Sequence, residues 1–155
     1  MTDSPRPADS APSFRLPSTV GEASLESLLL CGRRLVLAFY FEDATPSCET
    51  EIAMLRDSFE MLDRFGANVL AVSADSLESH RAFADRLGGL PFPLATDASL
   101  EAASAYGVVD EGDPKRSRRA IFVIDRDATL LLALPHFQPN NLAQVEAIFN
   151  VLGAE

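Results

Sequence analysis

The sequence has few of the residues that mark several classes of protein. It contains only two cysteines, Cys31 and Cys48, which are too few for a scaffold held together by disulfides. Lysine and arginine number 13 against 23 aspartate and glutamate residues, which gives a formal net charge of -10. Because nucleic acids and anionic membranes bind basic surfaces, we expect neither of them as the main partner.

Long apolar segments are also lacking. No apolar stretch approaches the ~20 residues needed to cross a bilayer. The segment 1–13 is polar and rich in proline, so it lacks the apolar core of a signal peptide and predicts a flexible N-terminal tail. The simplest expectation is a cytoplasmic protein with a single domain over residues 14–155.

Motifs for common cofactors and metals are missing as well. There is no glycine-rich phosphate loop and no Cys-x-x-Cys pair, which argues against nucleotide binding and against thioredoxin-type disulfide exchange. His80 and His136 have no metal-ligand spacing to a cysteine or to each other. His80 lies in a helical pattern, where we expect it to face solvent or to cap a contact. We therefore expect no cofactor and no metal.

The sequence does contain an alternation of strand and helix patterns. Apolar runs typical of strands buried on both faces occupy 34–41 and 68–73, and helical spacing fills 48–66 between them. Further elements are predicted as helices at 75–89 (opened by an Asp75–Glu78 capping box), 98–108 and 140–153, and as strands at 119–125 and 129–135.

This order of elements predicts the class of fold. Alternating strands and helices favour a parallel sheet, and the two strands at 119–125 and 129–135 form a hairpin that adds an antiparallel edge. We therefore predict an α/β thioredoxin-like sandwich, with a central mixed sheet and flanking helices. A flavodoxin-like sheet is the competing fold, but it lacks the late hairpin.

Cys48 lies where the first long strand ends and the first long helix begins. Thr45 is a favoured N-cap residue and Pro46 is favoured at the first helical position, so Cys48 falls in the first turn. Unpaired backbone N–H groups and the positive end of the helix dipole favour a thiolate there. The position suits a nucleophile, against the alternative of an inert small apolar residue.

Nearby carboxylates oppose this effect. Glu49 and Glu51 disfavour a thiolate, so a cation is needed to offset them. We expect Arg119, or its neighbour Arg118, to supply it, because the strand at that position can lie beside the strand that leads to the cysteine. The Thr45 hydroxyl can also reach the sulfur or an oxygen bound to it.

Several motifs occur in a fixed order along the chain. They are FEDATPSC, which contains Thr45 and Cys48, then CETE and LRD, NVLAVSADSLESHRAFADRLGGLPFPLATD, AYGV and the arginine before FVID. Over about residues 14–150 the chain resembles the peroxiredoxins of the AhpC/TSA type, in particular the bacterioferritin comigratory protein or PrxQ group. The signature of that family is Pro-x-x-x-Thr-x-x-Cys.

The resemblance implies an antioxidant thiol peroxidase that reduces hydrogen peroxide or organic hydroperoxides. Cys48 would be the thiolate that becomes a sulfenic acid, Thr45 and Arg119 would hold the peroxide oxygens, and Glu51 would orient the arginine. Thioredoxin, glutaredoxin or a low-molecular-weight thiol would then restore the thiol, and both monomers and homodimers occur in the family. The alternative is a peroxide-responsive redox sensor or binding protein on the same fold, with little turnover.

Two positions depart from the family pattern. Phe41 replaces the signature proline, which shields the cysteine in the family, and its apolar ring can still do so. Many PrxQ proteins have a resolving cysteine where this chain has Ala53. The other candidate is Cys31, but the strand between the cysteines spans about 23 Å, whereas a disulfide requires Cα atoms within ~7 Å. We therefore expect a one-Cys enzyme, with Cys31 as core filler or peripheral; an intermolecular disulfide stays open.

Overall fold

The fold is given by a computed structural model that describes residues 4–153. Its strands are β1 (Arg15–Ser18), β2 (Gly21–Ser24), β3 (Arg34–Phe39), β4 (Ala67–Ser73), β5 (Leu94–Thr96), β6 (Ala120–Ile124) and β7 (Leu130–Leu134). Its helices are α1 (Leu25–Leu28), α2 (Pro46–Arg64), α3 (Leu77–Arg86), α4 (Glu101–Ala105) and α5 (Leu142–Gly153), with a 3₁₀ turn at Leu30–Gly32.

The strands form one seven-stranded sheet in the order β2-β1-β5-β4-β3-β6-β7. β3 lies in its interior, parallel to β4 and antiparallel to β6, and Phe39 pairs with Val72 on one side and with Ala120 on the other. Every residue of β3 is buried. Its side chains alternate between two apolar clusters, one on each face of the sheet, which explains why the sequence of this strand is continuously apolar.

Helices cover both faces of the sheet. Buried side chains of α2, α3 and α5 join the cluster on one face, and those of α1 and α4 join the cluster on the other. This is the predicted mixed sheet with flanking helices. β6 and β7 pair antiparallel as the predicted hairpin, which removes the flavodoxin-like alternative.

The N-terminal part of the fold was not predicted from the sequence. β1 and β2 form a hairpin, and Ser18 pairs with Ala95 so that this hairpin continues the sheet beyond β5. Helix α3 also begins differently, because Ser76 is its N-cap and accepts a hydrogen bond from the Ser79 N–H. The predicted Asp75–Glu78 capping box is therefore wrong, and Asp75 has other partners that are described with the site.

The segment predicted as a flexible tail, 1–13, lies partly outside the described residues. Within the described part, Ala8 donates a backbone hydrogen bond to Leu130 at 2.8 Å, and Ala11 donates one to Ala128 at 2.8 Å. These bonds place the segment beside the start of β7, and its flexibility stays a prediction. Between residues 4 and 153, no helix is both long and apolar enough to cross a membrane.

Shortening Phe122 is expected to destabilise the fold strongly. Its ring is fully buried on β6 and contacts Tyr106, with ring centroids 5.0 Å apart, and Phe39 at 6.1 Å. We expect Phe122→Ala to lower the free energy of unfolding in urea by ~3–5 kcal/mol. Phe59→Ala, on a half-buried ring of α2, is the matched control and should lose clearly less. Equal losses would contradict the placement of Phe122 in the core.

Candidate active site

Cys48 lies in the first turn of α2, just after the loop that leaves the end of β3. Thr45 is the N-cap residue and Pro46 the first helical residue, as the sequence predicts. The cysteine is fully buried. The backbone N–H of Phe41 donates a hydrogen bond to its Sγ over 3.2 Å. The sulfur thus lies near the positive end of a helix and beside a backbone donor, and both features favour a thiolate.

The Thr45 side chain does not cap the helix. Its hydroxyl donates to the backbone carbonyl of Glu42 over 3.2 Å, and in the described part of the chain it makes no capping hydrogen bond. The residue therefore caps α2 through its extended backbone, whose carbonyl oxygen accepts a hydrogen bond from the Glu49 N–H at 2.8 Å. Thr45 thus directly precedes the helical turn that carries Cys48.

Polar atoms without partners lie close to the cysteine. Among residues 4–153, both carboxylate oxygens of Glu51 and the Nε of Arg119 are buried without a hydrogen-bond partner. Burial, and after it the charge of Cys48, raise the pKa of Glu51 well above its usual value, whereas Arg119 acts to lower it. Glu51 therefore interacts electrostatically with both Cys48 and Arg119, and the unsatisfied atoms are suited to receive a small polar ligand.

The two neighbouring arginines have different surroundings. Because β6 runs antiparallel to β3, with Ala120 opposite Phe39, the residues just before β6 lie beside the end of β3, as predicted. The Arg118 guanidinium donates to the carbonyls of Pro135 at 2.7 Å and Gly107 at 3.0 Å, so its contacts are with the backbone of other loops. Arg119 is the arginine that faces the carboxyl group of Glu51.

A buried polar network supports the loop before the cysteine. The Tyr40 hydroxyl donates to Asp43 at 2.6 Å, and the Nδ1 of His80 lies 2.9 Å from the same carboxylate. The Nε2 of His80 lies 3.0 Å from the carbonyl of Ala95. Burial acts to raise the pKa of Asp43, but hydrogen bonds from His80, Tyr40 and Ser79 outweigh it and lower that pKa. His80 is fully buried, so the expectation that it faces solvent is wrong.

Arg116 ties the same loop to the end of β4, and sequence reasoning missed it. Its guanidinium donates to Asp75 at 2.8 Å and pairs with Glu42 at 3.2 Å. It also lies 5.9 Å from the centre of the Phe41 ring and 3.4 Å from the Phe41 carbonyl oxygen. Asp75 also accepts a hydrogen bond from the backbone N–H of Asp43 at 2.8 Å. It therefore holds this loop directly as well as through Arg116.

Cys31 lies at the other end of β3. It is exposed, in the 3₁₀ turn Leu30–Gly32 that precedes the strand, and both cysteines are free. The expectation that it fills the core is therefore wrong, and its peripheral position fits the other expectation. Cys48 follows the opposite end of the same strand, as the distance estimate assumed.

A surface pocket of about 240 Å³ is bounded in part by Phe41, the residue whose N–H donates to the cysteine sulfur. It is lined by Phe41, Asp110, Arg118, Arg119, His136, Phe137 and Gln138. Phe41 thus contributes its ring to the pocket and its backbone N–H to the sulfur. In the part of the chain that the structure describes, no cluster of histidine, cysteine, aspartate and glutamate could hold a metal ion.

Comparisons with known proteins agree with this geometry. Residues 7–132 match the AhpC/TSA family. A bcp-type peroxiredoxin of Coxiella burnetii is 34% identical over 131 residues, which cover 81% of this chain and 85% of the relative. The chain belongs to the AhpC/TSA family. The predicted resemblance to the bacterioferritin comigratory protein and PrxQ group is thereby confirmed.

Two further relatives of this AhpC/TSA protein extend the comparison. Chloroplastic peroxiredoxin Q of Sedum lineare is 35% identical over 109 residues, which cover 70% of this chain but 58% of that longer protein. The crystal structure of peroxidoxin BcpB from Mycobacterium tuberculosis superposes with a TM-score of 0.83 at 27% identity, covering 97% of this chain and 98% of that one. The predicted thioredoxin-like fold, and an enzyme of the peroxiredoxin class, are confirmed at the level of the family.

Replacing Glu51 with glutamine is expected to stabilise the protein in a pH-dependent way. A raised folded-state pKa means that the fold favours the protonated carboxyl. Its contribution to stability is therefore present below the unfolded-state pKa of about 4.3 and is lost as the pH rises through the folded-state value. Glu51→Gln should raise the melting temperature at pH 8, with a gain that shrinks toward pH 4.

Thermal unfolding followed by circular dichroism between pH 4 and pH 8 measures this gain. Glu49→Gln, on the same turn but partly exposed, is the matched control and should show no comparable pH-dependent gain. A gain for Glu51→Gln that is as large at pH 4 as at pH 8 would contradict a raised pKa of the buried Glu51 carboxyl.

Proposed function

We propose that this AhpC/TSA protein is a thiol peroxidase in which the Cys48 thiolate reduces hydrogen peroxide or an organic hydroperoxide. The observation that carries the proposal is the set of groups around one buried sulfur. A helix N-terminus and the Phe41 N–H favour negative charge there, and the cation Arg119 acts on Glu51, which interacts with the same cysteine. Membership of the family and relatives named peroxiredoxins support the same reaction.

The first chemical step joins sulfur to oxygen. The thiolate attacks one oxygen of the peroxide, so that an S–O bond forms as the O–O bond breaks. Sulfur loses two electrons and becomes sulfenic acid, while the leaving hydroxide or alkoxide takes a proton from solvent and departs as water or alcohol. Negative charge moves from sulfur to the leaving oxygen, so donors placed beside both atoms stabilise the transition state.

The side chains at the site supply these groups. Arg119, whose Nε has no hydrogen-bond partner among the described residues, lines the same pocket as Phe41 and is suited to stabilise the peroxide oxygens. The Thr45 hydroxyl uses its hydrogen toward Glu42, so its oxygen is suited to accept a hydrogen bond from the peroxide O–H. Glu51 interacts electrostatically with Arg119, and among residues 4–153 neither of its carboxyl oxygens has a hydrogen-bond partner; we expect it to orient the arginine. The Phe41 ring, which lines the neighbouring pocket, shields the sulfur.

An outside thiol completes the proposed cycle. Its sulfur attacks the sulfenic sulfur of Cys48, which forms a mixed disulfide and releases water. A second thiol attacks this disulfide, restores the Cys48 thiolate and leaves the two donor sulfurs as a disulfide. The exposed position of Cys31 at the far end of β3 supports this one-Cys cycle. Thioredoxin, glutaredoxin or a small thiol are the proposed donors, and a cytoplasmic monomer or homodimer stays a prediction.

Substituting each cysteine in turn tests the proposal. After a slight excess of hydrogen peroxide, we expect intact-protein mass spectrometry with a sulfenic-acid trap to find an adduct at Cys48. The adduct should persist in Cys31→Ser and be absent in Cys48→Ser, and turnover with a thiol donor should be lost only in Cys48→Ser. Loss of two hydrogens in the wild type, with trapping only in Cys31→Ser, would instead make Cys31 the resolving residue. Oxidation of Cys48 without repeated turnover would favour the redox sensor.

The neighbouring arginines provide a second test. Removing one preorganised donor from a transition-state pocket lowers rates by roughly 100-fold or more, so Arg119→Met should slow peroxide reduction by about that factor. Arg118→Met is the matched control, because the Arg118 guanidinium, although it lines the same pocket, already donates to the carbonyls of Pro135 and Gly107. It should lower the melting temperature but leave the rate within about threefold. Stopped-flow oxidation measures both, and equal rate losses would contradict the assignment of Arg119.

A further inference from the structure

We propose that the backbone N–H of Phe41 is a catalytic donor that holds the Cys48 sulfur as a thiolate for its reaction with peroxide. This inference rests on the proposed peroxidase function and deepens it. The N–H lies 3.2 Å from Sγ and donates to it, and the sulfur is fully buried. A hydrogen bond to the charged form of an acid favours ionisation, and a buried site strengthens that effect because water does not compete.

The position of this donor is fixed by the sheet and by the loop. The Tyr40 N–H still bonds to the Val72 carbonyl at 3.0 Å, so Phe41 is the residue at which the chain leaves the β3–β4 ladder. The Ser117 hydroxyl donates to the Tyr40 carbonyl at 2.8 Å, and Arg116 contacts both the carbonyl and the ring of Phe41. The amide therefore points at the sulfur before peroxide binds, as a preorganised donor must.

Charge around the sulfur explains why this donor matters. Glu51 of the same helix is buried beside the sulfur, and Arg119, from the segment before β6, is the cation that faces it. Arg116 donates to Asp75 and pairs with Glu42, and its contacts with Phe41 are with the ring and the carbonyl oxygen. A neutral amide stabilises the thiolate by donating a hydrogen bond. Unlike a second cation, it does not also attract the carboxyl group of Glu51.

Other buried titratable groups surround the loop. Tyr40 just after β3, Asp43 in the loop and His80 of α3 bond to one another, so their polar atoms are already paired. Glu49, on the helix that carries the cysteine, is partly exposed and lies 3.9 Å from Arg86. The Phe41 amide is accordingly the donor that the structure assigns to Sγ itself.

Proline in place of Phe41 removes the N–H together with the ring, so two further variants separate these effects. Proline has no backbone N–H and favours an extended residue before it; that residue is Tyr40, which directly follows β3 and still bonds to the Val72 carbonyl. The family signature carries proline at this position, so the loop is compatible with it. Phe41→Leu is the matched control, because it removes the ring and keeps the N–H. A third variant, with a backbone ester in place of the amide at residue 41, keeps the ring and removes only the N–H.

The test is the midpoint of the ultraviolet thiolate absorbance against pH, measured in a Cys31→Ser background so that only Cys48 contributes. We expect Phe41→Pro and the ester variant to move the midpoint upward by about one pH unit, the size set by one hydrogen bond to a charged group. Phe41→Leu keeps the N–H, so its midpoint should stay clearly below that of the ester variant. The rate of oxidation by hydrogen peroxide should shift along the pH axis by the same amount in the first two variants only.

The outcomes separate this inference from the peroxidase proposal. If the ester variant and Phe41→Leu titrate alike, the N–H does not hold the thiolate and the inference is overturned. This result stands even if Phe41→Pro does not fold, because the ester leaves the side chain and chain path intact. The thiolate titration uses no peroxide. A shifted midpoint in the ester variant of a protein that fails to turn over peroxide would therefore overturn the peroxidase proposal and the catalytic role of the N–H. It would still establish that the N–H stabilises the thiolate.

Discussion

Strand β3 is paired along its length, with β4 on one side and β6 on the other, and the geometry of the site depends on this constraint. The strand delivers Phe41 to the point where the ladder ends, and the antiparallel β6 delivers Arg119 to the same edge. Helix α2 then starts above that edge with Cys48 in its first turn. Groups from three segments distant in sequence are thereby held around one sulfur by a single sheet.

The loop between β3 and α2 is acidic, and buried hydrogen bonds keep it in place. Asp43 is satisfied by Tyr40, Ser79 and His80, while Arg116 joins Asp75 to the same loop. Removing one member of such a network leaves a buried partner unsatisfied, which costs about 1–3 kcal/mol. The carboxylates of this loop therefore hold the structure together. Glu51 is a buried carboxyl that interacts with Cys48 and Arg119 of the site instead.

Sequence patterns predicted what depends on local order, and missed what depends on tertiary contacts. Continuous apolar runs predicted β3 and β4, and the Thr45–Pro46 pair predicted the start of α2 because caps are local signals. The hairpin β1–β2 was missed because its strands are short and have little apolar alternation. His80 was misplaced although it lies three residues before the buried Phe83, and that helical spacing was the available signal. No sequence pattern distinguishes Arg118 from Arg119. They differ in tertiary contacts, because the Arg118 guanidinium donates to the carbonyls of Pro135 and Gly107.

The most direct test of the account compares two reagents at the same sulfur. The central claim is that the groups around Cys48 specifically accelerate its reaction with peroxide. They do not raise the reactivity of the thiolate toward every electrophile. The measurement is the rate constant of the wild-type thiolate with hydrogen peroxide and with iodoacetamide, each divided by that of a small free thiolate. The account predicts at least ~100-fold acceleration for peroxide and little or none for the alkylating reagent. Equal ratios for the two reagents would contradict it.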